Sequence, residues 1–229
     1  MRKRTLKTII FGLIAFCVVS AATASETPIV EGEGVALVIK AVKIVEAREK
    51  QEAWRGVQRG QQLNSGTQVR TGEQSFSILK FADNSVVRVA ESSQIVVRGD
   101  KDNKSNAMNK TIELNLGKVG FNIKKQGANE QFRFVSPTSV ASIKGTSGYF
   151  SPNSLLILEG SASFGLADGT TMQDVGAGQI GEVVNGQVQV RQATPEELDE
   201  ARRVLAEINE RIIIKFRDAN GNIREIEIK

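Results

Sequence analysis

Few side chains in this sequence are suited to acid–base or nucleophilic chemistry. The chain has no histidine, the commonest general base and metal ligand near neutral pH. Its only cysteine, Cys17, lies close to the N-terminus. Ser142 and Lys144 are placed to share one face of a strand, as a Ser–Lys dyad would, but nothing else nearby resembles such a site. We therefore predict no catalytic residue, no metal ligand and no cofactor-binding residue, and we do not expect an enzyme.

Carboxylate pairs are the one catalytic device that this composition still allows. Two carboxylates held about 5–10 Å apart are sufficient to hydrolyse a glycan. Asp83, Asp168 and Asp218 each fall in a predicted turn, where Asp is favoured for its backbone conformation. Turn formation explains all three residues, so a glycan hydrolase is kept only as the least favoured alternative.

The basic and aromatic residues do not form a nucleic-acid surface. Such a surface needs a basic stripe, usually with aromatic side chains for single strands. The basic pairs here are isolated, and the chain has one Trp and one Tyr, too few for the aromatic platform of a typical carbohydrate binder. The residues concerned are Lys124, Lys125, Arg202, Arg203, Trp54 and Tyr149. We expect no nucleic-acid partner.

The first 24 residues have the three parts of a secretory signal peptide. A basic start precedes an apolar run from Ile9 to Val19, and Ala22-Thr23-Ala24 supplies a small-x-small cleavage site that would leave Ser25 first. The alternative is an uncleaved anchor, but this run is shorter than the roughly 20 residues that cross a bilayer. We predict a cleaved signal and a periplasmic or secreted bacterial protein that touches the membrane only through this segment if it is retained.

The signal segment also accounts for the net charge of the chain. The full sequence has 30 basic and 26 acidic residues, a formal charge of +4. Four basic residues and no acidic residue lie in the first 24 positions: Arg2, Lys3, Arg4 and Lys7. The remaining chain is therefore neutral and contains neither Cys nor His. A neutral chain argues against a partner that is selected by overall charge.

From about Val35 to Val190 the sequence alternates short apolar runs with turn residues, a pattern typical of β-strands. The turns contain residues that tolerate a left-handed backbone. They are Asp83-Asn84, Asp168-Gly169, Asn185-Gly186 and, further on, Asn220-Gly221. We predict an all-β domain over residues 25–192, built of stacked short antiparallel strands as a sandwich or a solenoid-like stack.

One segment of this region departs from the strand pattern. Between Arg98 and Lys110 the only apolar residues are Ala107 and Met108, which predicts an exposed connection. Arg98-Gly99-Asp100 spells an adhesion tripeptide, but tripeptides recur by chance. Because loops commonly carry function, we expect this loop and the C-terminal appendage to be the functional surfaces.

Residues 193–229 are predicted to form a helix followed by a β-hairpin. Thr194 is a good N-cap, Pro195 suits the first helical position and Glu197 completes a capping box. Leu198, Ala201, Leu205, Ile208 and Ile212 then form one apolar stripe on a helix of about 15 residues. The stripe is too short for a coiled coil, so we expect it to pack against a sheet. The hairpin is expected over residues 212–229.

From Trp54 to Gln179 the order of short motifs resembles the FecR domain family. No single motif is specific, but their order over about 125 residues is. The motifs are Gly60-Gln61-Gln62-Leu63-Asn64-Ser65-Gly66, Val69-Arg70-Thr71-Gly72, Leu79-Lys80-Phe81-Ala82-Asp83-Asn84-Ser85, Leu116-Gly117-Lys118-Val119, Phe134-Val135-Ser136-Pro137-Thr138-Ser139, Ile143-Lys144-Gly145-Thr146, Leu156-Ile157-Leu158-Glu159-Gly160 and Ala177-Gly178-Gln179. The chain departs from the family in having Asn84 where Gly is usual and Thr67 where an acidic residue is common.

The resemblance implies a non-catalytic module of the bacterial envelope. Family members of the iron-dicitrate regulator type place an anti-sigma segment before a transmembrane helix. Only about seven residues precede the apolar run here, so the resemblance does not carry anti-sigma activity over to this chain. We expect an exported FecR-only protein that binds or scaffolds an envelope protein or polysaccharide. The alternative is a periplasmic component of a cell-surface signalling pathway that works beside a separate sigma regulator.

Overall fold

The structure is a computed structural model of the chain. It describes residues 34–102, 107–206 and 208, and the backbone of residues 212–217 and 223–228. The predicted signal peptide lies outside the described residues and stays a prediction. Among the described residues, no helix has the length and apolar character needed to span a membrane.

The body of the protein is made of two nine-stranded sheets. In chain order its strands are β1 (Gly34–Val42), β2 (Val45–Arg48), β3 (Arg55–Gly56), β4 (Gln62–Asn64), β5 (Gln68–Thr71), β6 (Phe76–Phe81), β7 (Val86–Val89), β8 (Gln94–Lys101), β9 (Met108–Leu116), β10 (Val119–Ile123), β11 (Phe132–Val135), β12 (Ser139–Ile143), β13 (Thr146–Ser151), β14 (Ser154–Glu159), β15 (Ser161–Leu166), β16 (Gln173–Gly176), β17 (Gln179–Val184) and β18 (Gln187–Gln192). The all-β prediction is confirmed.

Apart from β4 and β3, which lie outside β1 and β2 at one end, the position of a strand in either sheet follows its position in the chain. Sheet A has the order β4-β1-β6-β7-β10-β13-β14-β17-β18, and sheet B has the order β3-β2-β5-β8-β9-β11-β12-β15-β16. The chain passes back and forth between the sheets, so that each new strand or hairpin adds to the growing edge. Neighbours are antiparallel except β9 and β11, which are parallel because the chain crosses to β10 in sheet A between them. The fold is therefore a sandwich with a solenoid-like strand order.

Aromatic side chains hold the two sheets together. Phe121 of sheet A lies 4.7 Å from Phe134 of sheet B, centroid to centroid, and Phe81 lies 5.0 Å from Phe132 across the same interface. All four rings are buried. Full burial of such a side chain contributes roughly 1.5–3 kcal/mol, so these rings add substantially to the stability of the sandwich.

A set of hydroxyl groups ties the sheets together at one end. The side chains of Ser136, in the turn between β11 and β12, and of Ser139, the first residue of β12, donate hydrogen bonds to the carbonyl oxygen of Pro152 at 2.5 and 2.8 Å. Thr138 donates to the same carbonyl. Pro152 lies in the turn between β13 and β14 of the other sheet. The Ser-Pro-Thr-Ser motif therefore fastens a hairpin of sheet B to a hairpin of sheet A.

The turns agree with the sequence prediction at three places. Asn84, Asn185 and Gly186 have positive φ values of 64°, 51° and 75°, and Gly169 has 80°. These residues connect β6 to β7, β17 to β18 and β15 to β16. The fourth predicted turn, Asn220-Gly221, lies outside the described residues.

The prediction of an exposed loop from Arg98 to Lys110 is wrong at both ends of the segment, where strands form. Strands β8 and β9 extend into this segment, and Arg98, Gly99 and Asp100 pair with Thr111, Lys110 and Asn109. Lys110 is only 4% exposed. Strand β5 pairs only with residues 94–96 of β8, so β8 and β9 continue beyond it as a two-stranded ribbon. The ribbon extends past its neighbour in the sheet, and its sequence therefore lacks the apolar alternation of the other strands.

The C-terminal helix and hairpin are present, although the helix is shorter than predicted. Helix α1 is Pro195–Ala206, 12 residues long. The hairpin consists of β19 (Ile212–Arg217) and β20 (Ile223–Ile228). The sequence analysis placed Ile212 at the end of the helical stripe, but Ile212 is the first residue of β19. The apolar stripe that packs is the one from Leu198 to Leu205.

A candidate binding groove on the outer face of sheet A

One row of directly opposed residues crosses the outer face of sheet A, and part of this row is apolar and packs against a helix. The row runs from β1 to β18 through Lys40, Ile78, Arg88, Gly120, Tyr149, Leu156, Ile180 and Arg191. Leu156 is fully buried, and Ile180 is 2% exposed. Apolar residues on both sides of a strand indicate that both sides are covered. On this sheet, α1 covers the half that is formed by β10, β13, β14 and β17.

The start of α1 is fixed by a capping box and by an ion-pair cluster. The Thr194 N–H donates to the Glu197 carboxylate at 2.8 Å, and the Glu197 N–H donates back to Thr194 Oγ1 at 3.3 Å. Arg191 forms ion pairs with Glu182 at 2.9 Å and with Glu197 at 2.8 Å. The hydrogen bonds from Arg191 and from the Thr194 N–H lower the pKa of Glu197 to about 2. These contacts place the helix across β17 and β18.

The middle of the helix packs on a small apolar cluster that is separate from the sandwich core. Ala201 is fully buried against Tyr149, Leu156 and Ile180. Gly120 lies under Val204, where an added Cβ would come within 2.5 Å of Val204 Cγ1. The helix therefore lies close to the backbone of β10 only because this position has no side chain.

A groove runs along the side of α1 that faces the uncovered half of the sheet. Its volume is about 550 Å³, and its lining includes Phe76, Arg88, Lys118, Tyr149, Glu200 and Val204. The size is that of a typical ligand or peptide site, which covers roughly 300–1,000 Å³. The floor is the outer face of β6, β7, β10 and β13, and one wall is the helix.

Cations and aromatic rings alternate in this groove. The Arg88 guanidinium lies 4.5 Å from the centroid of the Phe76 ring, and Lys40 Nζ lies 5.2 Å from it. Lys118 Nζ lies 2.8 Å from a Glu200 oxygen and 5.7 Å from the Tyr149 ring centroid. Burial, with smaller contributions from Glu200, Glu197 and Glu182, raises the pKa of Tyr149 to about 12. Tyr149 is therefore neutral at physiological pH and cannot act there as a base.

The carboxylates that the sequence singled out do not converge on a catalytic site. Asp83 is in the β6–β7 turn and accepts hydrogen bonds from Lys110 Nζ at 2.7 Å and from Gln126 Nε2 at 2.9 Å. Burial raises its pKa, but these hydrogen bonds outweigh that effect and the pKa lies below its usual value. A general acid for glycan hydrolysis needs a raised pKa. Asp168 is exposed and hydrogen-bonded to Thr170 of its own turn. Asp218 lies outside the described residues.

The other chemically suggestive residues are also separated. Ser142 is on the outer face of sheet B in β12, Lys144 follows that strand at an exposed position, and within the described residues no hydrogen bond joins them. Among all the residues that the structure describes, no group of three or more His, Cys, Asp or Glu side chains is placed to hold a metal ion.

The basic pairs and the tryptophan make local contacts. Lys124 and Lys125 are exposed after β10. Arg202 pairs with Asp199 at 2.9 Å, and Arg203 Nε donates to the Asp199 carbonyl at 3.3 Å. The guanidinium carbons of Arg48 and Arg70 lie 4.4 and 4.3 Å from the centroid of the Trp54 ring. This indole is therefore contacted by two arginines of the chain itself. Of the residues that the sequence analysis weighed as candidates for catalysis or binding, only Tyr149 lies in the groove.

The sequence analysis did not identify Phe76, Arg88 or Lys118 as site residues. A usable signal was present in β6 and β14, where both alternating phases are apolar. In β6, Phe76 and Ile78 face outward while Leu79 and Phe81 face the core, and β14 reads Leu155-Leu156-Ile157-Leu158. A strand that is apolar in both phases predicts a second layer on its outer side, which would have located the groove beside the helix.

Comparison with known proteins agrees with the resemblance seen in the motifs. The family described as FecR protein matches residues 67–163, from the strand before β6 to β15. Residues 67–163 of the chain are therefore similar to the FecR domain family. FecR is a regulatory family and not a known enzyme family, so the domain supports a role related to signalling regulation.

Two solved structures are similar to part of the chain. Both are described as "a putative anti-sigma factor from Parabacteroides distasonis ATCC 8503", at 1.65 and 2.50 Å resolution. The first is 11% identical with a TM-score of 0.48, and the match covers 67% of this chain and 70% of that one. The second is 12% identical with a TM-score of 0.48 and covers 64% and 66%. The curated proteins give no match.

Proposed function

We propose that this chain is an exported, non-enzymatic FecR module that binds a protein or polymer of the bacterial cell envelope. The observation that carries the proposal is the groove beside α1, a concave surface where Arg88 and Lys118 contact aromatic rings. Cations that lie beside aromatic rings in a concave surface are suited to recognition. The predicted signal peptide supports a periplasmic or secreted location.

Site-specific photo-crosslinking tests this proposal. A photoreactive phenylalanine at Ser92, which is exposed at the groove, should form a specific adduct in intact cells or an envelope fraction. The same residue at Arg133, exposed on the outer face of sheet B, is the matched control. Replacing Phe76 and Arg88 by Ala should abolish the adduct at Ser92. Equal adducts at both positions, or none at either, would argue against the groove as a binding site.

A signalling role is the second candidate function, and the FecR domain favours it. In this version the chain is a periplasmic component that acts beside a separate membrane-bound sigma regulator. Deletion of the chain should then change an envelope transcriptional response, and complementation by the Phe76→Ala/Arg88→Ala variant should fail to restore it. An unchanged transcriptional response after deletion would remove this candidate.

Export and the absence of catalysis have direct tests of their own. Mass spectrometry of the purified protein should find Ser25 at the N-terminus, and an intact Met1 would favour a membrane-anchored form of the same module. The protein should release no product from peptidoglycan or from common polysaccharides. Hydrolysis that is lost on Asp83→Asn would restore the glycan-hydrolase alternative.

A further inference from the structure

The four edge strands of the sandwich differ in how well they are protected from pairing with another strand. Sheet edges offer unpaired N–H and C=O groups, and proteins commonly shorten or charge them. The edges β3, β4 and β16 have two, three and four residues. The remaining edge, β18, has six residues, contains neither Lys nor Pro, and pairs with β17 without a bulge.

The register shows which backbone groups of β18 point away from the sheet. The Val183 N–H donates to the Asn153 carbonyl at 2.8 Å, so the backbone of Val183 is directed to the β14 side of β17. Its opposite residue, Val188, therefore directs its N–H and C=O away from β17, and so does Val190 two residues further on.

These outward groups are only partly occupied. Gln173 Nε2 donates to the Val188 carbonyl at 3.0 Å, and Arg191 Nη1 donates to the Gln192 carbonyl at 3.2 Å. Within the described residues, the N–H and C=O of Val190 have no hydrogen-bond partner. The middle of this edge therefore presents an adjacent donor and acceptor, which are the groups that an added strand would use.

The charge next to this edge indicates what kind of strand fits. Arg191 forms ion pairs with both Glu182 and Glu197, so the net charge of these three side chains is −1. A cationic side chain in an added strand would be attracted to them. A second copy paired about Val190 would instead bring two such clusters together, and like charges across a strand pair are unfavourable.

We propose that β18 binds an extended, basic polypeptide segment of a partner protein as an additional strand of sheet A. This rests on the proposed function and narrows it, because only a polypeptide supplies alternating amide donors and acceptors at strand spacing. A polysaccharide or a lipid does not. The side chain of Gln173, which covers the Val188 carbonyl, is displaced when the new strand pairs.

Selection from a displayed library of short random peptides tests the proposal on the full chain. Val190→Pro removes the outward N–H, a change that an edge position tolerates. Val190→Ala is the matched control, since it loses a similar part of the side chain but keeps the N–H. Selected peptides should bind Val190→Pro about tenfold more weakly than the original chain, and Val190→Ala about equally well. A synthetic copy of the best peptide, N-methylated at alternate amides, should lose the same affinity.

The outcomes separate the alternatives. Peptides that bind Val190→Pro as tightly as the original chain, or a selection that yields no peptide, overturn strand addition. Binding of chitotetraose or of phosphatidylglycerol vesicles that Val190→Pro weakens also overturns it, because neither probe can form a strand. Dimerisation that Val190→Pro abolishes would assign the edge to a second copy. If strand addition fails while crosslinking at Ser92 succeeds, the proposed binding function stands without this edge.

Discussion

The outer faces of the two sheets have the same strand geometry but opposite surface chemistry. On sheet A the transverse row contains Ile78, Tyr149, Leu156 and Ile180, and a helix covers part of it. On sheet B the corresponding row is Arg98, Thr111, Arg133, Ser142, Ser163 and Asp174, polar from end to end. Valines such as Val140 lie beside that row, half-buried.

This difference explains where the helix docks. The inward-facing apolar residues of both sheets build one core, so they do not determine on which outer face the helix docks. The outward-facing residues differ, because the outer face of sheet A has a continuous apolar cluster that α1 can remove from water. The groove is a by-product of this arrangement, since α1 covers only part of the sheet.

The largest effect is expected when the apolar outer row is truncated. Leu156→Ala should lower the free energy of unfolding by about 2–4 kcal/mol, because Leu156 is fully buried between β14 and α1. Val140→Ala on the outer face of sheet B should cost less than about 1 kcal/mol. Urea unfolding of both variants measures the contrast. Equal losses would show that the two faces do not differ in burial as described.

A pH effect confined to the helix-covered face should be smaller. Because burial raises the pKa of Tyr149 to about 12, the folded chain holds the phenolic proton more tightly than the unfolded chain. This contribution is complete below about pH 10 and is lost as the pH rises through 12, on the order of 2 kcal/mol in total.

The matched variant for this test is Tyr149→Phe, which cannot ionise. The difference in unfolding free energy between the original chain and Tyr149→Phe should stay constant below about pH 10 and change above it. Stability curves from pH 7 to pH 12 would measure this. A difference that does not change with pH would contradict the burial of the hydroxyl group.

Adding one methyl group under the helix should cost about 1–2 kcal/mol. In Gly120→Ala the new Cβ would lie 2.5 Å from Val204 Cγ1, and valine has little rotamer freedom in a helix with which to move away. The double variant Gly120→Ala/Val204→Ala should recover part of the loss, because the second change removes the clashing methyl group. Thermal unfolding of the single and double variants checks this. Additive losses would mean that α1 does not press on β10.

The smallest effect is expected on the polar face. Arg98 and Glu113 form an ion pair in which both side chains are substantially exposed, at 46% and 32%. Exposed pairs contribute about 0.2–1 kcal/mol and are screened by salt. Arg98→Ala should therefore lower stability by about 0.5 kcal/mol or less, and the loss should vanish in high salt. A larger, salt-independent loss would show that this face carries more of the stability than its exposure suggests.

Local features of the fold were predictable because their causes are local. Asn84 and Asn185-Gly186 mark turns through their tolerance of a left-handed backbone, and Thr194 with Glu197 marks the helix start. The all-β class follows from the alternation of short apolar runs with turn residues between Val35 and Val190. The helix end was misplaced because Ile212 continues the apolar spacing of the stripe, although it belongs to β19.

Features that depend on distant pairing were not predictable. Lys110 shares an inward phase with Ile112 and Leu114, but only the fold brings Asp83 to neutralise it. The groove was missed for the same reason, since Phe76 and Tyr149 become neighbours only when β6, β7, β10 and β13 are aligned. The open edge at β18 depends on which strand is last in its sheet, which no local pattern indicates.

The agreement between strand order and chain order has a consequence for how the protein evolves and unfolds. Each strand pairs mainly with strands nearby in the chain, as in repeat proteins, whose stability is roughly a sum of neighbouring units. Hydrogen exchange should therefore be slowest in the central strands β9–β12 and faster toward either end of the stack. Insertion or loss of a hairpin would change the length of the stack and leave its cross-section intact, so relatives of different length can share one architecture.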